Sequence, residues 1–260
     1  MIILKRNRAW NADIKKATIP FPKMVFENMI AQSGSNVTVV AYHTNDTFYT
    51  HEAERFRASA ERLNIKVDIT VVENHGNWIK NTSFKSAFLE MKRREIRGPL
   101  LYVDVDAVFH HSPLEYLNNF QCDIAVCHDL EDGHLMSGTL FLNDTQEALD
   151  LMKEWNNSCK QRVDVWDQKV LEDILQEDKL LTESKYAVAE LPREFCWIFD
   201  CKSNLEQNSK KIYIEHLQAS RSIKEKEGLK EKFFRLSFRK KSVQRRLDRV
   251  KEIESILFSK

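Results

Sequence analysis

Between Gly98-Pro99 and His110 the chain reads LLYVDVDAVF, Leu100 to Phe109. Its first four residues are a β-rich apolar run behind a turn signal, the pattern of a buried strand. Two aspartates, Asp104 and Asp106, close the run, and apolar residues resume at Ala107. Paired carboxylates at the end of a buried strand repel each other and lose hydration. A divalent cation, Mg²⁺ or Mn²⁺, relieves both penalties and takes its remaining ligands from substrate phosphates. In an open α/β sheet the carboxyl ends of the strands are also where ligands bind. The simpler alternative is a strand that stops at a solvated acidic turn.

The flanking residues say what kind of sheet holds this strand. Val37–Tyr42 (VTVVAY) is a β-branched run that ends in the polar cluster His43-Thr44-Asn45-Asp46. Ala53, Phe56, Ala60 and Leu63 recur at helical spacing, so a helix is expected over Tyr49–Leu63. Ile65–Val72 alternates as a strand. Trp78–Arg97 reads as a helix with Phe84, Phe88 and Met91 on its apolar face, stopped by Gly98-Pro99. An earlier helix is expected over Phe21–Ser33. The order β-α-β-α-β implies an α/β domain with a mainly parallel central sheet flanked by helices. Neither G-x-G-x-x-G nor G-x-x-x-x-G-K-[ST] is present, so a nucleotide here needs a metal to hold its phosphates. Downstream, a short helix (Leu114–Asn118), a strand (Cys122–Cys127) and an acidic loop (His128–Gly133) precede Ser137-Gly138, which opens the strand Thr139–Leu142. Helices over Thr145–Ser158 and Trp166–Gln176, an aromatic stretch (Glu190–Asp200) and a last strand (Lys211–Glu215) lead to His216.

Charge divides the chain. From Arg221 to Lys260 fourteen Lys/Arg face six Asp/Glu, leaving 26 against 33 in the rest. The expected division is a catalytic body, residues 1–220, and a basic amphipathic helical extension, 221–260. The extension carries the apolar stripe Val243, Leu247, Val250 and Leu257. Its surplus calls for an anionic partner, whether membrane, nucleic acid or the body itself. Lys230–Lys241 mixes basic residues with Phe233, Phe234, Leu236 and Phe238. That suits an interfacial helix on anionic lipid as well as a helix that packs its phenylalanines on the body. With no recognition motif, nucleic acid is not expected. No run of about 18 apolar residues occurs. Five cysteines without C-x-x-C spacing, and no secretory pattern at the start, read as reduced thiols in a cytoplasmic protein, peripheral to the membrane if the extension binds lipid.

Five segments, in order, resemble the nucleotide-diphospho-sugar transferases of GT-A fold. They are WIKNTSFKSAFLEMKRR (Trp78–Arg94), LLYVDVDAVFHHSPLEYL, MSGTLFLNDTQEALDLMKEW (Met136–Trp155), WDQKVLEDIL (Trp166–Leu175) and IEHLQASR (Ile214–Arg221). The resemblance spans roughly residues 37–221. It implies a single GT-A-like domain and a glycosyltransferase that moves a sugar from a UDP- or GDP-sugar to a glycan or lipid-linked acceptor, as in polysaccharide biosynthesis. It implies that Asp106 binds the metal, that Asp104 binds the metal or the ribose, and that His216 is the third protein ligand. By the same resemblance Tyr42, His43, Thr44 and Asn45 lie beside the base and ribose. Lys85 reaches the diphosphate or sugar, Gly138 admits the donor sugar and Asp167 sits near the sugar or acceptor.

A metal ion at this place neutralises the charge that develops on the departing diphosphate. Inversion also needs a base for the acceptor hydroxyl, for which Asp167, Glu131 and Asp132 are candidates. Retention does not, and the resemblance favours retention. Two other readings compete. A haloacid-dehalogenase-like phosphatase also has an apolar strand ending in D-x-D-x-[TV], with Asp104 as nucleophile, but no G-D-x-x-x-D follows here. A non-catalytic membrane-surface adaptor would act through the extension.

Overall fold

The computed structural model describes residues 36–74, 78–118, 120–201, 211–222 and 233–259, without the side chains of 78–80 and 233–240. The helix expected over Phe21–Ser33 lies outside them, as do the phenylalanine side chains of the 230–241 segment.

The described residues begin with the expected β-α-β-α-β order: β1 (Thr38–Thr44), α1 (Thr47–Glu61), β2 (Val67–Val72), α2 (Trp78–Glu95) and β3 (Leu100–Val103). There follow β4 (Ala107–Phe109), α3 (Leu114–Leu117), β5 (Ile124–His128), β6 (Leu135–Leu142), α4 (Gln146–Gln161) and α5 (Asp167–Lys179). Then come β7 (Val188–Glu190), a 3₁₀ turn (Arg193–Phe195), β8 (Trp197–Ile198), β9 (Ile214–His216) and a last helix, α6 (Phe233–Leu257). Among the described residues a six-stranded sheet runs β2-β1-β3-β6-β5-β7, and a smaller one runs β4-β9-β8. In the large sheet β1 pairs in parallel with both β2 and β3, and β5 with β7. β6 is antiparallel to both of its neighbours.

Side-chain alternation builds the two faces. Val39, Ala41, Leu101 and Val103 point to one core with Phe56 and Ala60 of α1. Val40, Leu100 and Tyr102 point to the other, with Phe88 and Leu89 of α2, Trp155 of α4 and Leu171 of α5. A strand covered on both faces has no polar side to show, which is why β3 reads as an unbroken apolar run. α1 is capped by Asp46, whose carboxylate accepts from the Tyr49 amide at 2.9 Å. α4 is capped by Thr145, which accepts from the Ala148 amide at 3.1 Å.

Three local expectations change. Met91 is 36 % exposed, and Leu89 takes the core position beside Phe88. Ser137 and Gly138 lie inside β6, not at its start. In α6 Leu247 is 40 % exposed, while Ile253 is fully buried with Val250 against Val108 and Leu217. Three arginines of this part of α6 turn to the body. Arg245 binds Asp200, Arg246 binds Glu52, Arg249 binds Glu215, and Glu254 binds Arg55. Among the described residues no helix is long and apolar enough to cross a membrane.

Candidate active site

The site forms where LLYVDVDAVF changes sheets. β3 ends at Val103, opposite Thr139 of β6. The Asp104 amide still donates to the Gly138 carbonyl at 2.8 Å, and the Ala107 amide then closes a turn on the Asp104 carbonyl at 3.1 Å. β4 departs to pair with β9, setting Ala107 opposite His216. One corner therefore gathers both aspartates and a histidine more than a hundred residues away in sequence.

Asp104, Asp106 and His216 each offer a ligand atom, and the three atoms lie within 4.8 Å of one another. Gly138 leaves room for this approach. A Cβ there would stand 2.9 Å from His216 Cε1, 3.1 Å from its Nδ1 and 3.3 Å from Asp104 Oδ2. Burial and the adjacent Asp104 carboxylate push the Asp106 carboxyl above its ordinary range, although the Ala219 amide donates to its Oδ2 at 2.6 Å. Burial opposes a charge on His216, but Cys196, Asp106 and Asp104 outweigh it and raise the ring to about 9. Cys196 in turn is held well below an ordinary thiol by its hydrogen bond with Cys127, against burial, and by His216. Two carboxylates and an imidazole gathered on one point are a donor set that could hold a divalent cation.

A second cluster adjoins the first through Asp104. Lys85 of α2, almost fully buried, sits 3.2 Å from Asp104 Oδ1 and 3.4 Å from Asp167 Oδ2. Its ammonium also donates to the carbonyl and hydroxyl of Ser137, each at 3.0 Å. Burial disfavours the charge on Lys85, yet Asp104 and Asp167 more than restore it. Asp167, in the first turn of α5, is pushed up by burial despite Lys85. The Ser137 hydroxyl donates to it at 3.3 Å. The Tyr102 hydroxyl donates to Asp104 Oδ1 at 2.6 Å, and burial with that carboxylate keeps the phenol protonated.

The other expected residues spread more widely. Tyr42 meets Phe84 edge-on and Phe88 and Tyr102 at tilted angles, and its hydroxyl donates to the Asn81 carbonyl at 2.9 Å. His43 is buried and its Nδ1 meets the Thr44 carbonyl at 2.8 Å. The Thr44 hydroxyl bonds to Asp46, and the exposed Asn45 follows at the end of β1. Glu131 and Asp132 are exposed on the β5–β6 turn, where Asp132 pairs with His134 at 3.3 Å. They belong to neither the Asp104–Asp106–His216 group nor the Lys85 cluster. Tyr102, Ser137, Thr139 and Cys196 were not foreseen. Thr139, a polar residue in the middle of the apolar run of β6, is the one that carried a sequence signal.

A sequence model of the nucleotide-diphospho-sugar transferase family matches residues 95–247, more than half of the chain. The chain belongs to the nucleotide-diphospho-sugar transferases. The matched region of this transferase contains Asp104, Asp106, Gly138, Asp167 and His216, and it runs into α6, past the boundary expected from charge. Its fold is that of solved glycosyltransferases. One is the enzyme involved in glycosylation of the major capsid of PBCV-1, with TM-score 0.54 and 10 % identity over 70 % of this chain and 92 % of that one. Another is apo GlyE of Streptococcus pneumoniae TIGR4, with TM-score 0.50 and 12 % identity over 70 % of this chain and 54 % of that one. No curated protein matches the sequence. The transferase is thus an enzyme of sugar transfer with a GT-A fold, which sets aside the phosphatase and adaptor readings.

Proposed function

We propose that this transferase moves a sugar from a nucleotide-diphosphate donor, a UDP- or GDP-sugar, to a glycan or lipid-linked acceptor with the help of Mn²⁺ or Mg²⁺. The observation that carries the reading is the convergence of Asp104, Asp106 and His216 on one point beside Gly138. Two carboxylates and an imidazole fit a divalent cation that also takes phosphate oxygens. Such an ion supplies positive charge where the leaving diphosphate becomes negative.

The chain's own groups do the rest. Lys85 is held charged by Asp104 and Asp167 and presents its ammonium at the edge of the donor site. There it opposes negative charge on the diphosphate or orients a sugar hydroxyl. Gly138 keeps the floor of the site open. Asp167 is pinned by Lys85 and Ser137, which suits it to accept from donor-sugar hydroxyls more than to move freely as a base. That favours retention of configuration, which needs no such base. Tyr42, His43, Thr44 and Asn45 line the β1 end, where the base and ribose would lie. Five cysteines without C-x-x-C spacing suit a cytoplasmic enzyme.

The test is release of UDP or GDP from a panel of nucleotide sugars, with Mn²⁺ and with EDTA. Release that EDTA abolishes supports the proposal. Release that EDTA leaves unchanged overturns its metal dependence.

A further inference from the structure

We infer that Thr139 is a positioning residue that fixes the tautomer of His216, so that Nε2 carries the proton and Nδ1 is bared toward Asp104 and Asp106. The inference rests on the metal-site reading above.

Thr139 is fully buried in the middle of β6. Its hydroxyl oxygen lies 2.8 Å from the Phe195 carbonyl and 2.9 Å from His216 Nε2. A hydroxyl has one hydrogen and two lone pairs. The carbonyl has no hydrogen to give, so the threonine hydrogen goes to it. The hydroxyl can then only accept from the histidine, and Nε2 must carry a hydrogen. In the neutral ring Nδ1 is therefore the bare nitrogen, with a lone pair for a ligand. The space at Gly138 shows where it points, since the same missing Cβ would meet Nδ1 at 3.1 Å and Asp104 Oδ2 at 3.3 Å.

The chain that sets the proton runs Phe195 carbonyl, Thr139 hydroxyl, His216 ring. Each link comes from a different element: the 3₁₀ turn, β6 and β9. Without the hydroxyl the ring loses this acceptor at Nε2 and keeps Cys196 as its neighbour, and the threonine no longer holds the proton away from Nδ1, the nitrogen that has to be bare. Outer partners that orient a ligating histidine are typically worth about ten- to a hundredfold in metal affinity.

The test compares Mn²⁺ affinity, read from the EPR signal of free Mn²⁺, in the full chain and in Thr139→Val, Thr139→Ser and His216→Ala. The expected result is a loss of about ten- to a hundredfold in Thr139→Val, near-native affinity in Thr139→Ser, and a loss at least as large in His216→Ala. Native affinity in Thr139→Val with loss in His216→Ala overturns the role of Thr139 alone. Native affinity in His216→Ala overturns the metal-site reading and this inference with it. Nitrogen-15 spectra of the histidine-labelled native chain, taken above the ring's titration, need no variant at position 139. A protonated Nε2 on His216, assigned by its absence in His216→Ala, supports the inference, and a protonated Nδ1 overturns it.

Discussion

Arg249 of α6 grips Glu215 of β9 through two charge-assisted hydrogen bonds, Nε and Nη2 to the two carboxylate oxygens, each 2.8 Å. Glu215 is fully buried and stands one residue before His216. His110, the residue after β4, closes the other side of the same carboxylate at 2.6 Å. The last helix is thus tied to β4 and β9, the strands that follow Asp106 and carry His216. Removing one partner of a buried pair leaves an uncompensated charge, at a cost of about 3–5 kcal/mol. Arg249→Met is expected to lose stability on that scale in urea unfolding. A loss below about 1 kcal/mol, the scale of a surface pair, would contradict it.

Glu215 also makes stability depend on pH. Burial raises its carboxyl, but Arg249 and His110 outweigh burial and hold it at about 2, against an ordinary 4.5. A depressed carboxylate contributes its full stability above the unfolded value and loses it as pH falls through the folded one. Stability is therefore expected to fall between about pH 4.5 and pH 2. The slope should be shallower in Glu215→Gln when unfolding midpoints are compared across that window. Equal slopes would show that the carboxylate is not held by these partners.

Truncation after residue 222 is expected to destabilise the fold. Val250 and Ile253 cover Val108 and Leu217, and Arg246 reaches the buried Glu52. A thermal melt would show a clearly lowered or lost transition. A truncated chain that melts with the native one would mean that α6 is an appendage.

Much of this fold was legible from residue patterns. β3 announced itself because it is apolar on both faces, and α1 because Phe56 and Ala60 repeat at helical spacing. The change of sheet at Asp104 was not legible, since it depends on β4 finding β9 a hundred residues later. Which carboxylates of the body take up the charge of Arg246 and Arg249 was not legible either, since Glu52 and Glu215 lie 194 and 34 residues away in sequence. Asp104 and Asp106 were visible as a pair. His216 came from the resemblance, and Thr139 showed only as a polar residue inside an apolar run, with nothing in the sequence to mark His216 as its partner.

Gly138→Ala isolates the space at the site. Its Cβ would lie 2.9 Å from His216 Cε1, a separation that forces something to move. Folding is expected to survive, with a melting temperature near the native one, while Mn²⁺ affinity falls at least about tenfold, as for other disturbed ligand supports. Unchanged Mn²⁺ affinity would show that the ring and Asp104 do not need that gap.

Lys85→Met would strand the buried Asp167 carboxylate. A destabilisation of about 3–5 kcal/mol is expected, with Asp167→Asn in the same chain recovering part of it because the charge is gone. Independent, additive effects of the two substitutions would contradict the pairing.

The most direct test of the central claim is calorimetric titration of UDP and GDP into the native chain and into Asp106→Asn, with Mn²⁺ and then with EDTA. The account predicts that one of the two nucleotides binds the native chain only with Mn²⁺ and that Asp106→Asn loses this binding. Nucleotide binding that persists in EDTA, or is unchanged in Asp106→Asn, would contradict it.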